Sequence, residues 1–376
     1  ATEPVGRLLW RYSLPAVVGM VVTSLYNVID RIFIGRGVGA DAIAGLAITF
    51  PVMNVATALG VLVGAGASAR VSIMLGAKDY RGAQMVLGNS LVMIVINAIA
   101  YLTVFGLFMD NILVAFGASA QSLPYARDFL MYLLPGLLVM NLSFSFNNIM
   151  RASGYPVRGA GSNLVLAPVF IFWLGMGIRG AAIATDIAMT ISGIFVFAHF
   201  FRPDSTLRFT QGIYRLRWHI VLGIVSIGAA PSLVNVAGSA INVIINTTLA
   251  RYGGDAAVAA AGIFTTYTSL LTMVVIGICQ GMQPIVGYNY GAGLYHRLRR
   301  AFWLATGAST ILCTAGFVFG ISCPGLIAKA FTVDGFLIDV TANGLSIALV
   351  MFWCVGFQIV STNFFQSIGQ AGKSIF

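Results

Sequence analysis

Long apolar runs separated by short polar connections make up most of this chain. A helix needs about 20 predominantly apolar residues to cross a bilayer. Runs of that length predict membrane spans near residues 9–34, 45–75, 86–109, 129–149, 162–177, 181–201, 220–249, 258–288, 301–322 and 337–365. The semi-polar segment 110–128 is expected to lie along the membrane interface. The sequence shows no period-two alternation, which argues against an outer-membrane barrel and favours an all-α membrane protein.

The pattern of spans and polar positions occurs twice, about 215 residues apart. The matched pairs are Pro15 with Pro231, Asn27 with Asn242, Gly45 with Gly262, Gly76 with Gly291, and NNIMRASG at 147–154 with TNFFQSIG at 362–369. Six spans precede the second copy, and an even number returns the chain to the same side of the membrane. The sequence therefore predicts two parallel repeats about an axis along the membrane normal, with a substrate site between them, as in many secondary transporters.

The duplication also predicts the domain organisation. We expect an N-lobe at 1–201 with helices 1–6, a cytoplasmic linker at 202–219, and a C-lobe at 220–376 with helices 7–10. The second copy has four spans where the first has six, and two more spans would need roughly 50 residues. We therefore expect a fold of twelve helices in two six-helix lobes, of which this chain carries ten and lacks the last two.

Composition and charge place the chain in a membrane and orient it. Only 9% of the residues are charged and 59% are hydrophobic, which is too apolar for a soluble domain of this length. The net charge of +10 comes from Lys and Arg in alternate connections between spans, which is typical of cytoplasmic loops rather than of a nucleic-acid-binding surface. This bias predicts a multi-pass protein of the plasma (inner) membrane with a cytoplasmic N-terminus.

Several motifs, in order along the chain, resemble the MATE (multidrug and toxic compound extrusion) family. They are NVIDRIFIG, GLAITFPV, GAKD, RASG, NLVLAPVFIF, GIRGAAIAT and GICQGMQPIVGYNYGAG. The resemblance covers essentially the whole chain and implies export of amphipathic, often cationic drugs driven by inward Na⁺ or H⁺. It also implies a transporter without a cofactor other than that coupling ion. We expect a monomer whose partners are small molecules and the lipid bilayer, with no nucleic acid.

Asp30 is the leading candidate for the coupling acid. A charge at membrane depth costs roughly 2.5–3.5 kcal/mol on insertion scales, and only Asp30 and Asp186 lie well inside predicted spans. Tyr26 and Asn27 precede Asp30 by four and three residues, on the same helix face. These groups suit a proton or Na⁺, although a structural acid paired with an arginine of a neighbouring helix is the alternative. The resemblance makes the Asp of NVID the central cation-coupling acid.

The resemblance adds further residues to this site and shows one departure. Asn163 and Thr185 match the family's Asn and Thr ligands, which gives Asp30, Asn163 and Thr185 as a Na⁺ ligand set. Ala167 stands where the family has an Asp, so one oxygen ligand and one negative charge are lost. Asp186 is a candidate to compensate, but its side chain points about 100° away from that of Thr185, and a structural acid between the lobes is the alternative.

Pro15 is a candidate hinge in the first span, because a proline inside a helix removes a hydrogen bond and permits a kink. Simple tolerance of proline in a membrane helix explains it equally well.

Other classes of membrane protein fit the sequence less well. A flippase for lipid-linked oligosaccharides has a similar architecture, but it needs several cations in its cavity, and here Arg31 and Arg70 lie near span ends. An intramembrane enzyme is disfavoured because HExxH and GxSxG motifs do not occur. A channel or receptor is disfavoured by a duplicated bundle that buries acids.

Overall fold

The structure is a computed structural model that describes residues 3–37, 40–116, 118, 123–155, 177–203, 205–331 and 335–374. The described backbone is mainly helical. Apolar segments in lipid form helices because the hydrocarbon offers no partner to backbone N–H and C=O groups, so each segment must satisfy them internally. The predicted all-α fold is confirmed.

The helices in chain order are α1 (Val5–Gly37), α2 (Ala40–Gly76), α3 (Tyr80–Ala115), α4 (Leu123–Ala152), α5 (Gly177–Phe201), α6 (Trp218–Gly291), α7 (Tyr295–Ser322), α8 (Pro324–Lys329), α9 (Gly335–Ala348) and α10 (Phe352–Ser367), followed by a 3₁₀ turn at Ala371–Ser374. Six stretches of the described residues are long and apolar enough to cross a membrane, and the bent pair α9–α10 makes a seventh. Residues 162–176 of the predicted fifth span lie outside the described residues.

The longest helical run, α6, contains two spans rather than one. Its 74 residues would extend about 110 Å if straight. Both of its ends nevertheless contact α2, with Ile224 against Gly66 and Tyr288 against Gly76. Since Gly66 and Gly76 are only about 15 Å apart along α2, α6 must turn back on itself. The two halves correspond to the spans predicted at 220–249 and 258–288.

Two features of the helices were not predicted, while the position of segment 110–128 along the membrane interface stays a prediction. The segment 110–128 mostly continues α3 and α4, and its polar residues Asp110 and Arg127 form an ion pair at 3.4 Å across the connection between them. The last predicted span is broken into α9 and α10, which meet at 51°. An ion pair between neighbouring helices and a bend within a span leave no signal in hydropathy alone.

Two turns have the same backbone conformation in both copies of the repeat. Lys78 (φ 63°) corresponds to Gly293 (φ 70°), and Gly154 (φ 105°) corresponds to Gly369 (φ 78°). Both pairs have the spacing that separates Gly76 from Gly291. The left-handed region favours glycine, yet Lys78 adopts it in the first copy. The duplication found in the sequence therefore extends to the geometry of the turns.

The described helices bury separate apolar cores. One lies among α2, α3, α4, α5 and the start of α6, and includes Phe146 and Phe200. Another lies among the second half of α6, α7 and α10, and includes Met282 and Val360. The first turns of α1 belong to this second core through Val5, so α1 begins against helices of the second copy.

The linker predicted at 202–219 is fixed to α3 by one fully buried side chain, Asn89. Its amide nitrogen donates to the carbonyl oxygens of Ile213 and Arg215, each at 3.2 Å, and its Oδ1 accepts from the backbone N–H of Arg217 at 2.9 Å. The linker is therefore attached to the first copy before α6 begins.

One end of the bundle carries a cluster of nine Lys and Arg side chains, and we call it the basic end. Here α2 turns into α3, α4 ends, α6 begins and ends, and α7 begins. Its basic residues are Lys78, Arg81, Arg151, Arg202, Arg215, Arg217, Arg297, Arg299 and Arg300.

Candidate functional site

The two copies meet where α2 packs against the second half of α6, and we call this contact the lobe interface. The Gln283 amide donates to Ser68 Oγ at 2.8 Å. One turn further on, a Cβ added at Gly287 would lie 2.6 Å from the Cβ of Ser72. Both pairs join a residue to its own counterpart in the repeat. Contacts between equivalent residues of two copies are expected where a two-fold axis relates the copies.

The lobe interface brings backbone against backbone at the basic end. A Cβ added at Gly76 would overlap the carbonyl oxygen of Tyr288 and lie 3.0 Å from the Ala292 nitrogen. A Cβ added at Gly291 would overlap the carbonyl oxygen of Ile73 and lie 3.0 Å from the nitrogen of Ala77. These contacts are again related by the repeat. Only glycine permits so close an approach, so the lobes are fully closed here.

Arg151 of α4 adds a further contact between the two copies at this end. Its guanidinium donates to Gln280 Oε1 of α6 and to Asn148 Oδ1 of its own helix. The amide of Gln280 also lies 4.0 Å from the Met20 sulfur of α1. Within the described ranges no carboxylate pairs with Arg151. The lobe interface thus ends in a guanidinium held only by neutral acceptors.

Sequence reasoning missed Arg151, which it assigned to a loop because the predicted span ended at residue 149. The helix α4 continues to Ala152, and Arg151 therefore lies in its last turn. The repeat carried a signal, since Arg151 aligns with Gln366, which is buried in α10.

Pro15 lies between two contacts that join α1 to the second half of α6. Ser13 Oγ donates to the carbonyl oxygen of Ile278 at 3.3 Å, and a Cβ added at Gly277 would lie 2.6 Å from the Cα of Val17. Helix α1 runs through Pro15. The role of Pro15 as a hinge stays a prediction.

The predicted cation ligands are only partly within the described residues. Tyr26, Asn27 and Asp30 have helical backbone in α1, and Thr185 has helical backbone in α5, but the side chains of all four lie outside what the structure describes. Asn163 and Ala167 lie outside the described residues altogether. The helical register of α1 keeps Tyr26, Asn27 and Asp30 on one face. The ligand set stays a prediction.

Asp186 faces α4 and is partly buried. A Cβ added at Gly136 would overlap its carboxylate, so the acid occupies the space that a side chain at Gly136 would fill. Among the described residues its Oδ1 is buried and has no hydrogen-bond partner. One turn along, Ser143 of α4 donates to the carbonyl oxygen of Met189 at 3.3 Å. The acid is therefore part of the packing between α4 and α5, two helices of the first copy, and it does not lie between the lobes as the alternative prediction had it.

Known proteins match both copies of the repeat. The family model MatE matches residues 15–176 and 231–375. The multidrug export protein MepA of Staphylococcus aureus is 25% identical over 378 aligned residues, covering 98% of this chain and 83% of the relative.

Solved structures match over the same extent. The MATE multidrug transporter DinF-BH, solved in complex with R6G, is 31% identical with a TM-score of 0.91, covering 100% of this chain and 85% of that one. A MOP superfamily transporter from Pyrococcus furiosus, whose reverse binding-pocket polarity is described as suggesting a different function, is 26% identical with a TM-score of 0.89, covering 99% and 85%. The family model, the shared fold and the two-fold lobe interface agree, and this chain belongs to the MatE family.

Proposed function

We propose that this protein exports amphipathic, cationic drugs in exchange for Na⁺ or H⁺, by alternating access between its N-lobe and C-lobe. One observation carries the proposal: the lobes meet in a two-fold interface that is closed at the basic end, around Ser68 and Gln283. A closure built from few polar bonds and bare backbone contact can separate without unfolding either lobe. MepA and DinF-BH, both named as multidrug transporters, support the class of substrate.

The basic end is cytoplasmic in this proposal, and the N-terminus lies on that side. Membrane proteins keep Lys and Arg in short cytoplasmic loops, and the basic side chains at this end outnumber its acids. In this proposal the protein crosses the inner membrane several times, and it works as a monomer.

Drug enters from the cytoplasm when the lobe interface opens. The bonds that must break include those of Gln283 with Ser68, of Arg151 with Gln280 and of Ser13 with the Ile278 carbonyl oxygen, because each joins one copy to the other. When they re-form, the drug is closed off from the cytoplasm and leaves outward.

Asp30 couples this movement to the ion. A cation arriving from outside neutralises the Asp30 carboxylate, with oxygens from Asn163 and Thr185 as further ligands. Because Ala167 replaces the family's second acid, Asp30 is the only carboxylate of the set. Helix α1 carries the signal, since the segment around Pro15 in the same helix packs directly on α6.

Ethidium efflux from liposomes tests the proposal, with a Na⁺ gradient and a pH gradient imposed separately. We expect Asp30→Asn to lower gradient-driven efflux at least about tenfold, since charge neutralisation by the ion is the coupling step. Asp110→Asn is the matched control, because it neutralises an exposed acid of an ion pair and should change little. Ala167→Asp should raise efflux by restoring a ligand of the coupling ion. Whichever of the two gradients drives efflux identifies that ion as Na⁺ or H⁺.

The opposite results are equally informative. Unchanged gradient-driven efflux in Asp30→Asn would place coupling elsewhere, with Asp186 as the next candidate. If ethidium moves in no variant but a fluorescent pyrophosphate-linked lipid does, the flippase alternative gains. Arg151 and Arg70 favour that alternative, because each is a cation in contact with α6. Arg151 binds Gln280 there. Arg70 lies against Gly223, and its buried Nε has no hydrogen-bond partner among the described residues.

A further inference from the structure

An open depression of about 830 Å³, which we call the cavity, lies on one face of the beginning of α7, on the basic end, and all of its lining residues belong to α7. His296, Arg299, Arg300 and Trp303 line it at the spacing of one helix face. Tyr295 closes one side, and its ring meets that of Tyr290 edge-on at 6.3 Å between centroids. The cavity therefore combines cations with aromatic rings on a single face.

The cations of this cavity have no anionic partner in the part of the chain that the structure describes. Arg299 and Arg300 are exposed and take part in neither of the ion pairs found there, which are Arg11 with Glu3 and Arg127 with Asp110. Two adjacent guanidinium groups without a counter-ion repel each other and attract an anion from outside the protein.

The first turn of α1 packs against the beginning of α7, next to the cavity. A Cβ added at Gly6 would lie 3.8 Å from Leu304 Cδ1, and the guanidinium of Arg297 donates to the Glu3 carbonyl oxygen at 2.6 Å. Trp10 follows Gly6 by one turn on the same face of α1 and is 69% exposed. Trp303 is 60% exposed. Of these two tryptophans, Trp303 lines the cavity, and Trp10 lies about 6 Å further along α1 than Gly6.

A tryptophan with two arginines one turn further out on the same helix face is the arrangement expected at a membrane surface. Tryptophan favours the boundary between hydrocarbon and headgroups, and arginine reaches lipid phosphates beyond it. Clusters of Lys and Arg at the cytoplasmic end of a transmembrane helix bind acidic headgroups. Arginines serving only to orient the chain would not need aromatic rings beside them on the same helix face.

We propose that this cavity binds the phosphate of an anionic phospholipid of the inner leaflet. Arg299 and Arg300 hold the phosphate, and Trp303 and Tyr295 flank the glycerol and upper acyl region. The proposal rests on the proposed function for one point, that the basic end is cytoplasmic. Because α1 belongs to the N-lobe and α7 to the C-lobe, the lipid binds where the two lobes adjoin.

Native mass spectrometry of the purified full chain in detergent tests this without requiring transport. The protein is given an equimolar mixture of phosphatidylglycerol and phosphatidylcholine with identical acyl chains. We expect selective retention of phosphatidylglycerol, reduced at least about tenfold in Arg299→Gln/Arg300→Gln. The variant Arg299→Lys/Arg300→Lys, which keeps the charge, should retain most binding and shows that loss is not misfolding.

A matched control separates a site from general charge. Arg81→Gln/Arg215→Gln removes two exposed cations of the same end away from the cavity and should leave phosphatidylglycerol retention unchanged. Equal loss in this control, or full retention in Arg299→Gln/Arg300→Gln, would overturn the proposal. Displacement of the lipid by millimolar inorganic phosphate would also overturn it, in favour of a site for free phosphate. Failure of ethidium efflux alone leaves this binding result standing.

Discussion

The carboxylate of Asp186 is held in the packing between α5 and α4, where Gly136 leaves it room. A buried oxygen without a donor costs free energy, and the cost is greater when the group is charged. The position of Asp186 inside a helix could be predicted from the sequence. The helix that it faces could not, because that contact depends on a glycine fifty positions away in the chain.

Replacing this acid with its neutral isostere should stabilise the protein without stopping transport. We expect Asp186→Asn to raise the free energy of unfolding by about 1 kcal/mol, because it removes a poorly solvated charge and keeps the shape. Thermal unfolding in detergent measures the effect, and ethidium efflux measures activity. A well-folded Asp186→Asn protein that has lost gradient-driven efflux would instead make Asp186 part of the coupling site.

At the scale of elements, the linker behaves as part of the first copy. Its polar composition predicted a loop between the lobes, but the composition gave no sign that buried Asn89 would hold it to α3. Similarly, hydropathy predicted both spans of α6 and missed the bend between α9 and α10. Hydropathy reports how apolar a segment is, whereas bends and anchors depend on which atoms meet.

Removal of the Asn89 side chain should loosen this attachment. We expect Asn89→Ala to lower the free energy of unfolding by about 1–3 kcal/mol, because it leaves the Arg217 N–H and two linker carbonyls without their partner. Limited proteolysis between residues 202 and 219 should become faster. Asn111→Ala changes an exposed asparagine of the same helix and serves as the control. Equal protease sensitivity of the two variants would refute the anchoring role.

At the scale of the whole molecule, the duplication relates the two sides of the lobe interface. The matching of Gly76 with Gly291 was visible in the sequence, and so was the parallel orientation of the two copies. The sequence did not show that these two glycines each lie against the other copy's backbone, since a repeat identifies equivalent positions but not the face on which they meet.

The symmetry predicts equal effects for equivalent changes. Gly76→Ala and Gly291→Ala should each hinder closure at the basic end, because an added Cβ overlaps a backbone carbonyl that cannot rotate away. Overpacking costs about 1–3 kcal/mol, so opening should become about tenfold more frequent. An impermeant maleimide applied from the basic side to Ser68→Cys, with the four native cysteines replaced, reports that opening.

The control for this pair is Gly106→Ala in α3, where an added Cβ has no neighbour within 4 Å. It should leave labelling unchanged. If only one of the two interface variants increases labelling, the two sides of the lobe interface are not equivalent in function.

The pairing of Ser68 with Gln283 and of Ser72 with Gly287 has a consequence for the origin of the molecule. Two identical subunits that associate about a two-fold axis use one self-complementary patch twice. The lobe interface has this geometry within a single chain, with the linker replacing free diffusion of two subunits. A half-length ancestor with the α2 surface would already carry both sides of the contact, so that fusing two gene copies would require a tether and no new interface.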